Sequence, residues 1–573
     1  MIGCNYHLRG YVFSSPMFNP VYTPHKKFTH SLCLSCLLLF SFSAFGIGAA
    51  GKETVAKDTL LDEHSLASTV SRALSHFNTP GMAVGVIHQG KIVHLDSFGI
   101  ANRETNAPVD ENTYFRLAST SKAFTAASLA ILVDEGKLQW DDKVIDYLPG
   151  FRMMDPWVTA EFTIRDLLSH RSGLIAGAGD SMIWPEPSGF SRSEMIHNLR
   201  YLSPEYSFRS TYAYNNVFYI TAGEVVAKIA NQPWEDFVAK RIFAPLGMEC
   251  FAGDMPDSAL SNVAMAYGYN DDEGIYPIPR NGIKGEGLIS AAAGGIVCNA
   301  SSMLKWLNFL LTRNDANHDE VPLRLTDINK GAKNTSVFSA ARLSDMWSPN
   351  TILKISKNDK QLDNTQFRSY AMGWQLRNIL GYEAVYHTGT LSGYQAYVTL
   401  VPALDLGIVL LNNGSNSGAR TSVMQSILRA YIPGAKQQDW VTYYHNEQTE
   451  ARQKYLSKKT IPVGSGEVLL PISAYAGEYA DNWFGTMTIT QSGSVLRVES
   501  AKMVTLTGTL EPFEANSFVI RWDNKNAARD SFIHFDVDPS HQVTAFTLHP
   551  FSVDVSNEHE YRDMYFEKRV RGK

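Results

Sequence analysis

Residues 116–126 read Arg116-Leu-Ala-Ser-Thr-Ser-Lys-Ala-Phe-Thr-Ala126, a serine and a lysine three positions apart at the mouth of an apolar stretch. A free serine hydroxyl is a poor nucleophile, and residues i and i+3 of a helix lie side by side, so Lys122 can reach Ser119 and help remove its proton. A helix start also offers unpaired N–H groups and the positive end of a dipole. These favour an anion developing at the serine and lower the pKa of a neighbouring ammonium. The stretch continues through Phe124, Ala127, Ile131 and Leu132 to a stop at Gly136, as an amphipathic helix would.

Spacing alone does not select this site, because Ser302-Met-Leu-Lys305 repeats it. That second match sits in a helical pattern, with Trp306 and Leu310 at core positions, and reads as structural. Two later elements favour Ser119. Tyr214-Asn-Asn216 supplies a phenol which, beside an ammonium, ionises more readily than a free one and can shuttle a proton between Ser119 and a leaving group. Asn216 would hold Lys122 or a substrate amide. His387-Thr388-Gly389 opens a run rich in aromatic and β-branched residues, Tyr397 to Pro402, which reads as an edge strand with Leu406 to Leu411 as its partner. Such a strand can lend a backbone N–H to an oxyanion.

In this order the three elements resemble the serine β-lactamase and penicillin-binding-protein superfamily, in particular its class C, carboxypeptidase and esterase-like branch. The segments Thr163-Ile-Arg-Asp-Leu-Leu-Ser-His-Arg-Ser-Gly-Leu174, Pro245-Leu-Gly-Met248, Gly294-Gly295 and Gly373-Trp374 extend the resemblance over about residues 65–428. The resemblance implies Ser119 as acylated nucleophile, Lys122 and Tyr214 as the proton-transfer pair, and Asn216, His387, Thr388 and Gly389 as substrate-positioning groups. It places the oxyanion hole at the N–H groups of Ser119 and Thr390. Which of Lys122 and Tyr214 is the acylation base stays open. His387 departs from the lysine that many members use to meet a substrate carboxylate. A histidine, with its ordinary pKa of about 6.5, is mostly neutral at pH 7. That favours an ester, an amide or a D-amino-acid peptide over a β-lactam antibiotic. A penicillin- or cell-wall-binding module that acylates with little turnover is the other reading.

Competing chemistry is sparse. There is no Gly-x-Ser-x-Gly elbow and no His-Glu-x-x-His pair, so no metal or cofactor is expected. Gly85 to Lys91 mimics a phosphate loop, but Ile92 stands where a hydroxyl is required. His170 beside Ser172 reads as a helix-ending loop around Gly173. With a net charge of -6, nothing points to nucleic acid. The expected partner is a small-molecule or peptide substrate, peptidoglycan fragments included.

At the N-terminus, His25-Lys26-Lys27 precedes an apolar run, Leu32 to Ala50, ending in Gly-Ala-Ala. Residues 1–50 read as a secretory signal, with translation starting at Met1 or Met17, and the protein as secreted or periplasmic; the alternative is an uncleaved anchor. Cleavage would leave Cys250 and Cys298, too few for a disulfide framework.

The 573 residues, 44% hydrophobic and 19% charged, suffice for more than one domain. The expected fold, as the resemblance implies, is an α/β (α+β) serine β-lactamase-like catalytic domain over residues 60–432, with an antiparallel sheet flanked by helices and a mostly helical portion. Within it, residues 312–366 read as a polar surface loop near the cleft. Residues 433–467 read as a short helix and linker. From 468 to 573 period-two segments, such as Gly485 to Thr490 and Phe518 to Trp522, argue for a small β-barrel, and Tyr475-Ala-Gly-Glu-Tyr479 resembles the start of the lipocalin-like domain appended to such hydrolases.

Overall fold

The computed structural model describes residues 61–279, 288–314, 337–458, 462–524, 530–551 and 561–569. The proposed signal, residues 1–50, lies outside them, as does most of the first half of the 312–366 segment.

The first half of the chain and the run up to residue 412 share a nine-stranded antiparallel sheet. From one edge its strands are Ala107–Pro108, Lys91–Asn102, Gly81–His88, Leu406–Asn412, Tyr394–Val401, Tyr382–Leu391, Gln375–Ile379, Arg368–Tyr370 and Thr351–Ile352. Side chains alternate between two apolar layers. Val84, Val86, Ile408 and Leu410 pack toward helices Glu63–His76 and Ser417–Tyr431. Ala83, Ile87, Val409 and Leu411 join the other core, together with Leu304 and Leu307 of helix Ala300–Asn314 and the apolar residues of helix Lys122–Asp134. Period two with both faces covered demands apolar residues at every position, which is why the central strands read as unbroken hydrophobic runs.

Strand pairing on both sides corrects the expected edge strand. Tyr394–Val401 is buried along its whole length and lies between Tyr382–Leu391 and Leu406–Asn412. The 312–366 segment is also not a plain loop: its described part holds helices Ala340–Met346 and Lys357–Asp363 and the outermost strand, Thr351–Ile352. Asp363 explains the order there, since it is buried and bonded to Arg377 and Arg429. The short helix expected beyond residue 433 is the 19-residue helix Trp440–Lys458, anchored by buried Trp440 and Val441.

The C-terminal region is an eight-stranded closed barrel of antiparallel neighbours. Strands Gly477–Asp481, Gly485–Ser492, Val495–Ser500, Thr507–Ala515, Ser517–Trp522, Ser531–Val537, Val543–Pro550 and Phe566–Lys568 follow one another, and the last pairs back to the first. Closure removes sheet edges that would otherwise template aggregation. The interior is filled by aromatic rings in edge contact or stacked, with Tyr475 and Phe518 at 4.8 Å and Phe546 and Phe566 at 4.6 Å. Strand Thr507–Ala515 escaped the sequence reading because Pro512 interrupts its alternation; the ladder shifts register between Pro512 and Glu514.

Candidate active site

Ser119 does not sit in the first α-helical turn. It belongs to a 3₁₀ turn, Ala118–Ser121, that precedes helix Lys122–Asp134, and Ala118 is held at φ 48°. A left-handed backbone at a non-glycine residue is strained, and here it stands immediately before the serine. The turn faces strand Tyr382–Leu391. Pairing with Gln375–Ile379 ends at Tyr386 and Gln375, so residues 387–391 are free of that neighbour. Gly389 lets the strand approach: a Cβ there would lie 2.2 Å from the Leu117 carbonyl oxygen.

Lys122 is fully buried, and its Nζ has three hydrogen-bond neighbours among the described residues. Nζ donates to Asn216 Oδ1 and to the Ala293 carbonyl, both at 2.7 Å, and lies 3.3 Å from Ser119 Oγ. Asn216 stands at the N-cap of helix Val217–Ala230 without capping it. Its amide instead bridges Lys122 and Asp180, donating to Asp180 Oδ2 at 2.8 Å. Burial pulls the Lys122 pKa down from 10.5 to about 7, opposed by the negative charge of Asp180.

Tyr214 is brought to the same place, with Lys122 Nζ 4.8 Å from its ring centroid. Its buried hydroxyl has no hydrogen bond of normal geometry. Burial holds the phenol well above its ordinary 10, although the neighbouring Ser119 hydroxyl acts to lower it. The expected easier ionisation of Tyr214 is therefore not found: desolvation penalises the phenolate more than the lysine favours it, and the lysine itself is half neutral near pH 7.

His387 is buried and turned away from any role as a cation. Nδ1 lies 2.8 Å from the Thr388 carbonyl, which only accepts, so Nδ1 carries the hydrogen; Nε2 then accepts from the Tyr370 hydroxyl at 3.0 Å. Burial, with the Lys122 charge, lowers its pKa to about 3. Thr388 and Thr390 line the cleft, and the Thr390 hydroxyl bonds to Gln395 and Arg420. His170, at a left-handed helix end as expected, is buried with its ring 4.2 Å from that of Tyr214. The second Ser-x-x-Lys pair is structural: Ser302 accepts from the Glu249 N–H and Lys305 bonds the Gly247 carbonyl.

Asp180 and Glu186 line the cleft and were not expected. Glu186 forms a buried ion pair with Arg116, 2.5 Å, and accepts from Ser290 at 2.8 Å. Asp180 opens the 3₁₀ turn Asp180–Met182 and Glu186 lies in the loop after it; neither carries a periodic signal, and only the fold brings them 60 or so positions back to Ser119. Cys250 and Cys298 are disulfide-bonded across a short sheet.

A serine on a strained turn, beside a buried lysine and a strand unpaired on that side, is an arrangement that active-serine chemistry can use. The Beta-lactamase family profile matches residues 66–430, more than half of the chain, and the chain belongs to that family. It is a serine hydrolase of the β-lactamase type. Residues 467–568 match a domain of unknown function, DUF3471. The chain is 27% identical over 448 residues to an unguisins hydrolase of Aspergillus campestris, covering 74% of this chain and 77% of that protein. It is 26% identical to penicillin-binding protein 4 of Amycolatopsis lactamdurans, covering 62% and 85% respectively. Among solved structures, an octameric penicillin-binding protein homologue from Pyrococcus abyssi superposes with TM-score 0.55 at 19% identity, over 88% of this chain and all of that one. No helix among the described residues is long and apolar enough to cross a membrane.

Proposed function

We propose that the protein is an exported hydrolase that cleaves an amide, peptide or ester through an acyl-enzyme on Ser119, with Lys122 as the acylation base. The observation that carries the assignment of the base is the set of Lys122 contacts. Two of them, Asn216 Oδ1 and the Ala293 carbonyl, can only accept, so each takes an N–H. In the neutral amine the lone pair is then left for the third direction, toward Ser119 Oγ at 3.3 Å. With a pKa of about 7, that neutral form is abundant at physiological pH.

Ser119 Oγ attacks the substrate carbonyl carbon as its proton passes to Lys122 Nζ. The oxyanion is held by the N–H groups of Ser119 and Thr390. The C–N or C–O bond then breaks as the proton reaches the leaving group by way of Tyr214, which burial keeps in its O–H form. Water attacks the ester in the reverse sense and frees Ser119. Asn216, fixed by Asp180, keeps the lysine aimed. His387, neutral and bonded on both nitrogens, orders the strand that carries Thr388 to Thr390, and offers no cation to a substrate carboxylate. That favours ester or amide substrates over carboxylate-bearing antibiotics. The Cys250–Cys298 disulfide supports export, since such bonds persist in oxidising compartments.

The test is intact-mass spectrometry over time of wild type beside Ser119→Ala, mixed with a penicillin and separately with an activated short-chain ester. A Ser119-dependent ester turnover with little penicillin adduct is expected. A persistent penicillin adduct would instead mark a penicillin-binding module, and equal turnover in Ser119→Ala would remove the serine from the mechanism.

A further inference from the structure

The cleft beside Ser119 is wider than the catalytic groups require. It encloses about 650 Å³, the size of a site for a drug-sized ligand. One wall is Ser119, Tyr214 and the strand at Thr390. The barrel contributes the apolar side chains Phe484, Met487, Leu506, Trp522, Leu548 and Met564, with Asn524 and Tyr561 as its polar members.

Those side chains belong to one end of the barrel, whose own interior is filled with aromatic rings. The open space therefore lies between the barrel mouth and Ser119. The mouth is held there by specific contacts with residues 189–205 of the helical portion. The Gly189 N–H donates to the Lys502 carbonyl at 2.7 Å, so closely that a Cβ on Gly189 would stand 2.6 Å from that oxygen. Asn198 Nδ2 donates to the Trp483 carbonyl at 2.7 Å, and Lys502 pairs with Glu194 at 2.6 Å. Barrel and hydrolase side chains also form one continuous apolar cluster.

We infer that the barrel mouth is the apolar half of the substrate chamber, and that the substrates are esters or amides bearing a bulky apolar group that reaches from Ser119 into it. This rests on the acyl-enzyme reading of Ser119. A predominantly apolar barrel surface in the same cleft as the bond-breaking groups sorts substrates by size and hydrophobicity. Each methylene that leaves water there raises kcat/KM by up to about fourfold. The C-terminal domain is thus a part of the site, contributing specificity and no reacting group.

The experiment measures kcat/KM of the full chain on p-nitrophenyl acetate and p-nitrophenyl octanoate, for wild type, Leu506→Asn, Leu548→Ala and Ser119→Ala, with a melting curve for each. The expected result is an octanoate-to-acetate ratio of roughly ten or more in wild type, reduced at least about fivefold in the folded barrel variants. A wild-type ratio near one overturns the inference even should both variants fail to fold, and so does an unchanged ratio in the variants. Failure of the underlying reading looks different: Ser119→Ala would match wild type, or no ester would be turned over.

Discussion

The barrel and the Ser119 region are built from the same antiparallel strands and treat polar groups in opposite ways. In the barrel every strand has two neighbours and the lumen is aromatic, with Tyr479, Phe518, Phe535 and Phe566 buried. Around Ser119 the strand at 387–391 lacks one neighbour among the described residues, and Lys122, His170, His387 and Tyr370 are all buried. A charge or an unpaired hydroxyl costs stability in such surroundings. Its retention marks where chemistry outweighs packing, and the lowered Lys122 pKa is the same cost expressed as a proton equilibrium.

The sharpest way to break this contrast is Lys122→Met, which makes the site resemble the barrel. Activity should fall by roughly 10³-fold or more, because an apolar chain takes no proton. The melting midpoint should rise below pH 7, where the wild-type lysine is charged at a cost. The sign follows from the depressed pKa: between about 7 and the ordinary 10.5 the unfolded chain binds more protons, so wild-type stability climbs with pH and the mutant's advantage shrinks. Calorimetry across that window, set beside ester kinetics, checks both halves.

Gly389→Ala comes next. Its Cβ would meet the Leu117 oxygen at 2.2 Å and push the strand from the Ser119 turn. A displacement near 1 Å is expected to cost about 100-fold in kcat/KM. Activity close to wild type would show that catalysis does not depend on the close approach of this strand to the Ser119 turn.

Asp180→Asn keeps an acceptor for Asn216 and removes a charge. Asp180 acts to raise the Lys122 pKa. The acidic limb of the pH profile, set in wild type near 7, should therefore move to lower pH, with a smaller change in the plateau. A limb that stays in place or moves upward would separate Asp180 from the lysine.

The smallest effect is expected at the barrel contact. Lys502→Ala removes the partner that, with the Ser191 N–H, holds the Glu194 carboxyl at about 2. The pair is partly exposed, so about 0.5 kcal/mol is at stake. Because the carboxylate is depressed, that contribution is present above its ordinary range and is lost as pH falls toward 2. Urea midpoints of the two proteins should converge on acidification.

Much of this was legible from residue order. Ser119, Lys122, Tyr214 and His387 were singled out by the order of three short motifs along the chain and the family that order resembles, since the Ser-x-x-Lys spacing occurs twice; most barrel strands were legible through period two, a local signal. Strand Thr507–Ala515 hid behind Pro512, and the central place of Tyr394–Val401 hid because an edge strand and a doubly covered strand can share the same apolar run.

Sequence by itself determined the kind of chemistry and the two architectures, since side-chain type and hydrophobic period act over a few residues. Only the tertiary structure decided how far the environment shifts each titratable group. Burial from all sides brings Lys122 to about 7 and holds Tyr214 above 10, and desolvation is a property of the surroundings, not of the neighbours in sequence. It also brought Asp180 to Asn216 and the barrel mouth to Ser119, contacts made between segments that have no reason to meet until the core has formed.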